Sequence, residues 1–201
     1  MTEFHRALAR ALEQDECLEG EFSGVTAEEV NAVRAELRKC LLKDCKFTKC
    51  DFSRASFSES RLEDCLFHEC RFSDGYFRNV EMLRCRFEGT DFRRVHLRDC
   101  ILTETSLRYA NFCEGVWERV GLNECSLKDA SLSVMRLVRP VFHEVDLSGA
   151  DFFRTPLRGV DLSECTIEGI AVSENCAELR GARINALQAT ELARLLGVNI
   201  V

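Results

Sequence analysis

From Leu41 onward, the second residue of every block of five is large and apolar. The column runs Leu42, Phe47, Phe52, Phe57, Leu62, Phe67, Phe72 and on to Leu157, Leu162, Ile167 and Val172. That is 27 apolar residues in 27 consecutive slots, which chance at 46% apolar composition produces roughly once in 10⁹ trials. A helix repeats near 3.6 residues and a strand near 2, so neither alone gives a strict five. The residue two before each large one forms a second, mostly small column: Cys40, Cys45, Cys50, Ala55, Ser60, Cys65, Cys70, Gly75 and onward, with Met135, Pro140 and Ile170 the larger members. The positions between are charged or polar, as in Asp51-Phe52-Ser53-Arg54. One large and one small inward residue per five fits a chain that turns a corner every five residues. Four such sides close a square coil of 20 residues, and coils stack at the inter-strand spacing of about 4.8 Å.

Units such as Ala110-Asn111-Phe112, Ala150-Asp151-Phe152 and Val160-Asp161-Leu162 resemble the A-(D/N)-L-x-x consensus of the pentapeptide-repeat family. The likeness covers about residues 40–174. It implies an all-β solenoid, a right-handed quadrilateral parallel β-helix; the periodicity alone supplies only the five. On this reading residues 1–39 are an N-terminal helical cap with a partial first coil, residues 40–174 the β-helix, and residues 175–201 a final coil and terminal module.

Both ends of a solenoid expose unpaired edges unless they are covered. Residues 3–13 place Phe4, Ala7, Leu8, Ala11 and Leu12 on one helical face, and Phe22 falls in an imperfect first coil. Thr26-Ala27-Glu28-Glu29 reads as a capping box opening a second helix near residues 26–40, with Val30, Val33 and Leu37 inward. At the other end the five-residue register slips by two after Val172 and gives one more unit at residues 180–184. The tail then reads as helix, Gly197 stop and short strand, with Ala189, Leu192, Ala193 and Leu196 in one stripe. Leu196-Gly197-Val198-Asn199-Ile200 is similar to the C-terminal module of quinolone-resistance pentapeptide proteins, in which a helix and a strand join two rods end to end. The resemblance implies a homodimer through Leu187, Leu192, Leu195, Leu196, Val198 and Ile200.

Nine of the twelve cysteines, all but Cys17, Cys113 and Cys176, lie in the small inward column. They read as small buried hydrophobes. His68, His96 and His143 fall at outward positions on three different sides, so no zinc site is expected, and no other cofactor motif is present. A redox role for the cysteine ladders is the remote alternative. No glycine-rich phosphate loop or nucleophile elbow appears, and an enzyme is not expected. No apolar run approaches a membrane span, and charged residues interrupt the N-terminus, so a cytoplasmic protein is expected.

The formal charge of −7 argues against direct nucleic-acid binding. Its distribution says more. Over residues 41–170 the side that begins at residue 41 carries nine acids against three bases, and the side that begins at residue 56 carries three acids against six bases. Asp44, Asp64, Glu104, Glu124, Glu144 and Glu164 share one equivalent position, with Arg84 interrupting, and Asp161 lies beside them. The quinolone-resistance proteins are taken to imitate the charge of a DNA duplex and to occupy the DNA site of type II topoisomerases. The resemblance therefore implies an acidic face of these seven residues that binds DNA gyrase or topoisomerase IV. The alternative is a structural scaffold with an unrelated protein partner. Unlike the proteins on mobile elements, whose coils are interrupted by loops, this chain keeps its register from Leu42 to Val172.

Overall fold

The computed structural model describes residues 3–195, 197 and 198. Every pairing between strands is parallel, and the partner of a residue lies 20 positions away throughout the repeats. Leu42, Leu62, Met82, Leu102, Leu122 and Phe142 form one such ladder, and Leu37, Phe57, Phe77, Leu97, Trp117 and Leu137 another. The molecule is a four-sided parallel β-helix, with side 1 carrying residues 41–45 and their equivalents, side 2 residues 46–50, side 3 residues 51–55 and side 4 residues 56–60. Strand pairing is fullest on sides 1 and 4, which join into one sheet of 12 strands. Side 3 is held by single bridges, Asn31 to Asp51 to Arg71 and so on to Ala171.

The corners explain why so few glycines suffice. The second residue after each large one adopts left-handed backbone, at Asp44, Lys49, Arg54, Glu59 and through the repeats to Arg154 (φ 50–61° at these positions). A non-glycine residue there costs on the order of 1–2 kcal/mol. The stack offsets it: the corner amide donates to the next coil, as from Glu104 N to Asn123 O at 2.9 Å and from Glu124 N to His143 O at 3.0 Å. Val134 is the least suited occupant, a β-branched residue at φ 58° whose side chain is half exposed. Val134→Gly keeps the bond from N134 to Phe153 O. It is expected to raise stability by about 1 kcal/mol, seen as a higher urea midpoint with unchanged slope; a lower midpoint would mean that the corner holds no strain.

Inside, the large column builds rings stacked at the coil spacing. Phe52, Phe72, Phe92 and Phe112 stack with centroids 5.0, 5.1 and 4.8 Å apart, beside Phe47–Phe67–Phe87 and Phe57–Phe77. The nine inward cysteines are buried and free. They do more than fill space. Cys45 Sγ lies 3.4 Å from Phe22 O and 3.2 Å from Lys43 O, and Thr105 Oγ1 lies 3.3 Å from Met82 O and 3.0 Å from Thr103 O in the equivalent place. The small column thus prefers a compact donor facing carbonyls of its own and the preceding coil. Burial pushes the Cys40 thiol up to about 12 and those of Cys100, Cys125 and Cys165 up to about 11, so they remain neutral donors.

The N-terminus departs from expectation. Helix α1 (Glu3–Gln14) forms and buries Phe4, Leu8 and Ala11, leaving Leu12 exposed. The second helix does not form. Strands β1 (Leu18–Ser23), β2 (Thr26–Glu28) and β3 (Glu36–Lys43) occupy the segment, and a complete coil runs through it. Thr26, Ala27 and Glu28 pair with Lys46, Phe47 and Thr48. A local capping signal worth about 1 kcal/mol loses to a coil's worth of ladder bonds and burial. The clue lay in phase: Ala27, Ala32 and Leu37 continue the large column backwards, but alanine stands where a ring is usual. Phe4 fills the vacancy from α1, with its ring 5.4 Å from Phe47 and 5.3 Å from Phe22 and fully buried.

At the C-terminal end the two-residue slip is visible in the ladder. Asp151 bridges Ala171, 20 positions on, but Asp161 bridges Arg183, 22 positions on. The extra length forms a bulge that ends in a short turn of 3-10 helix (Ala177–Leu179), tied down by Glu178. This buried carboxylate accepts from Arg154 N (2.8 Å), Ser173 N (3.2 Å) and Ser173 Oγ (2.7 Å). Burial opposes its ionisation, but these donors prevail and hold it below the usual carboxylate range. Helix α2 (Ala186–Leu195) follows, capped by Asn185. Its anchor is polar. Gln188 is buried and its Nε2 donates to Leu162 O (2.7 Å) and Cys165 O (2.6 Å), carbonyls that have no further coil to meet. The apolar stripe expected to face inward is only partly covered: Leu192 and Ala193 are half-buried and Ala189 is exposed. Leu196 and, apart from Val198, the short strand expected after Gly197 lie outside the described residues.

Candidate interaction face

Side 1 presents the acidic column as a real line, one residue per coil, because the pairing keeps equivalent positions in register. The sequence treats its members alike; the structure does not. Arg84 clamps Asp64 with two bonds of 2.7 Å and also reaches Glu63 at 2.9 Å, and it holds the Asp64 carboxyl below its usual range. Lys43 and Arg61 approach Glu63 at 3.9 and 3.5 Å, and Arg61 bonds Glu81 at 3.3 Å. The acids of the N-terminal half other than Asp44 are thereby paired. Asp161 turns onto Ser163 and pairs with Arg183 at 2.8 Å, serving the backbone turn. Glu164 is engaged by His143 at 2.6 Å, and that bond, with the charge of Glu164, Glu144 and Glu124, raises the His143 pKa.

What remains is a consecutive run. Glu104, Glu124 and Glu144 are exposed, and among the described residues none has an ion-pair partner; Glu124 has only a long contact from Asn123 Nδ2 at 3.4 Å. Asp44 is likewise unpaired but stands apart at the N-terminal end. Like charges repeated at about 4.8 Å repel one another, and elsewhere in the molecule the equivalent spacing is used for opposite charges. Arg94 clamps Asp74 and Arg119 clamps Asp99 across one coil in the manner of Arg84 and Asp64. Next to the glutamates on the same side, Ile101 and Val141 are 55% and 64% exposed, with Gly121 between them in register. The run therefore combines uncompensated negative charge with bare apolar surface. The charge pattern shows the carboxylates but not the apolar neighbours, whose signal was Ile and Val at the position that Arg61, Glu81 and Asp161 hold in other coils.

No helix among the described residues is long and apolar enough to cross a membrane. Among them, also, no group of three or more His, Cys, Asp or Glu side chains converges to hold a metal ion.

The family model described as pentapeptide repeats (9 copies) matches residues 32–75 and again residues 67–111, the stretch whose coils carry the phenylalanine stacks. Residues 32–111 of the chain are pentapeptide repeats. Among solved structures, the trypsin-treated form of QnrB1, a plasmid-mediated fluoroquinolone resistance protein, is similar at 24% identity and a TM-score of 0.57, over 90% of this chain and 92% of that one. HetL, a pentapeptide repeat protein involved in heterocyst differentiation regulation from the cyanobacterium Nostoc sp. strain PCC 7120, is similar at 17% identity and a TM-score of 0.34, over 88% and 92%. No curated protein matches the chain in sequence. The likeness to QnrB1 is one of fold. This chain shares the rod, and what it binds rests on the side chains that the rod displays.

Proposed function

We propose that this protein is a non-catalytic binding module that presents Glu104, Glu124 and Glu144 to a basic, DNA-binding protein surface, that of DNA gyrase or topoisomerase IV. The observation that carries the reading is the uncompensated run itself. Carboxylates at about 4.8 Å along a rigid rod approach the 3.4 Å axial spacing of phosphates on one DNA strand. A surface built for phosphates would accept them, and Ile101 and Val141 would add contact that a duplex does not offer. The acidic set expected from the sequence narrows accordingly, because Asp64, Asp161 and Glu164 are engaged by Arg84, Arg183 and His143. The test is supercoiling by gyrase, and drug-stabilised cleavage, with purified protein titrated in. Inhibition, or rescue from a fluoroquinolone, supports the reading. No effect on either topoisomerase moves the same face to an unrelated basic protein partner, the scaffold reading.

A second copy of the chain is the partner proposed for the C-terminal end. Leu187 is 83% exposed, Leu195 40% and Val198 50%, and α2 buries a glutamine rather than its leucines. Closed two-fold pairing of two such ends would cover this surface. Sedimentation velocity is expected to give a dimer for the wild type and a monomer for Leu187→Glu. A wild-type monomer at all concentrations would end the proposal. Leu196 and Ile200, also expected in this contact, lie outside the described residues.

A further inference from the structure

The bulge made by the two-residue slip opens a groove of about 380 Å³ lined by Phe153, Arg154, Pro156, Ser173, Asn175 and Glu178. Three independent features meet there. Phe153 is an exposed aromatic ring, 41% accessible, and the Arg154 guanidinium lies over it at 5.0 Å from the centroid. Arg154 has no carboxylate partner among the described residues, because Glu178 spends its oxygens on the Arg154 backbone N–H and on Ser173. The exposed charged side chains at the adjoining end of side 4 are all basic. Arg136 sits one coil below Pro156, Arg139 follows it, and Arg158 and Arg180 continue upward, all exposed and none in an ion pair among the described residues. Their counterparts in earlier coils, Arg98 and Arg119, are paired with Asp99 and Glu118. Before the groove the last acid on this side is Glu118; Glu178 within it is buried with its oxygens engaged, and Glu174 is exposed next to the lining residues Ser173 and Asn175.

We propose that this groove binds a nucleoside phosphate, either a free nucleotide or the phosphorylated end of a strand. The base takes the face of Phe153 now covered by Arg154, and Arg154, released from the ring, joins Arg136 and Arg158 in holding the phosphates. An aromatic face offers stacking to any base, and guanidinium forks match phosphate oxygens in pairs. A groove of this volume admits one such unit rather than a run of bases, and the acidic side 1 discourages long duplex. The site is separate from the acidic face, so a variant altered at Glu104, Glu124 and Glu144 retains it.

Isothermal titration of the full chain with ATP, adenosine and inorganic triphosphate tests this. Saturable one-to-one binding of ATP is expected, with adenosine and triphosphate each weaker by about tenfold or more. Phe153→Ala and Arg154→Gln, both at exposed positions and checked for unchanged melting, are each expected to weaken ATP by about tenfold. A 5′-phosphorylated oligothymidylate that binds more tightly than ATP and competes with it assigns the strand end as the source; weaker binding assigns the free nucleotide. Absence of saturable ATP binding, triphosphate binding as tightly as ATP, or ATP affinity unmoved by both variants would overturn the proposal.

Discussion

Phe72→Ala is expected to cost about 3–5 kcal/mol, as truncation of a fully buried aromatic does. Phe72 is the centre of the aromatic interior. Its ring stacks on Phe52 at 5.0 Å and on Phe92 at 5.1 Å, and the edges of Phe67, Phe77, Phe57 and Phe87 approach within 5.4 to 6.1 Å. Removing it leaves a hole with rings on all sides, and rings held by backbone ladders cannot slide in to fill it. The position of the loss matters as much as its size. A solenoid is stabilised coil by coil through nearest neighbours, so amide exchange should accelerate first in the coils on either side of residue 72, while those around Phe152 hold. Urea denaturation reads the total and hydrogen exchange the distribution. A loss below 1 kcal/mol would mean that the ring is not a keystone of the stack.

The combined change Glu104→Lys, Glu124→Lys and Glu144→Lys is expected to weaken binding to gyrase or topoisomerase IV by about a hundredfold or more at low salt, since charges set against their own sign at an interface cost several kcal/mol. The difference should shrink as salt is raised, because these are exposed charges. Glu124→Lys alone separates binding from folding. A lysine between Glu104 and Glu144 recreates the alternation by which Arg84 pairs with Asp64, so stability should rise by up to about 1 kcal/mol while binding falls. Few structural artefacts produce gain in one and loss in the other. Glu114→Lys, an equally exposed acid on side 3, serves as the control and should leave binding alone. Undiminished binding by the triple variant would remove side 1 from the interface.

The five-residue column told the period and the inward residues, because each large residue must point inward once per side; the quadrilateral β-helix followed from the resemblance to pentapeptide repeats. It told the coil length as well, which the pairing at 20 positions repeats. The first coil, at residues 18–35, reads from the sequence as only partial because alanine at 27 and 32 does not register as a core residue. Only the arrival of Phe4 from α1 makes those small residues sufficient, and its contact with Phe47 joins parts of the chain 43 residues apart in sequence. The tail misled in the opposite sense. Its leucines look like an inward stripe, whereas the last coil's need for donors at Leu162 O and Cys165 O selects Gln188.

By itself, then, the sequence determined the rod: its period, its inward columns, and the line along which its acids fall, all properties of a repeat that each coil carries locally. Which of those acids keep their charge exposed was decided in three dimensions. Arg84 neutralises Asp64, Arg183 takes Asp161 and His143 takes Glu164 across coils 20 or more residues apart. The same holds for the groove beside Phe153, which exists because two added residues must be folded away without breaking the ladder beneath them. Charge pairing between stacked coils and the accommodation of a slip depend on which side chains lie above one another, and only the tertiary structure fixes that.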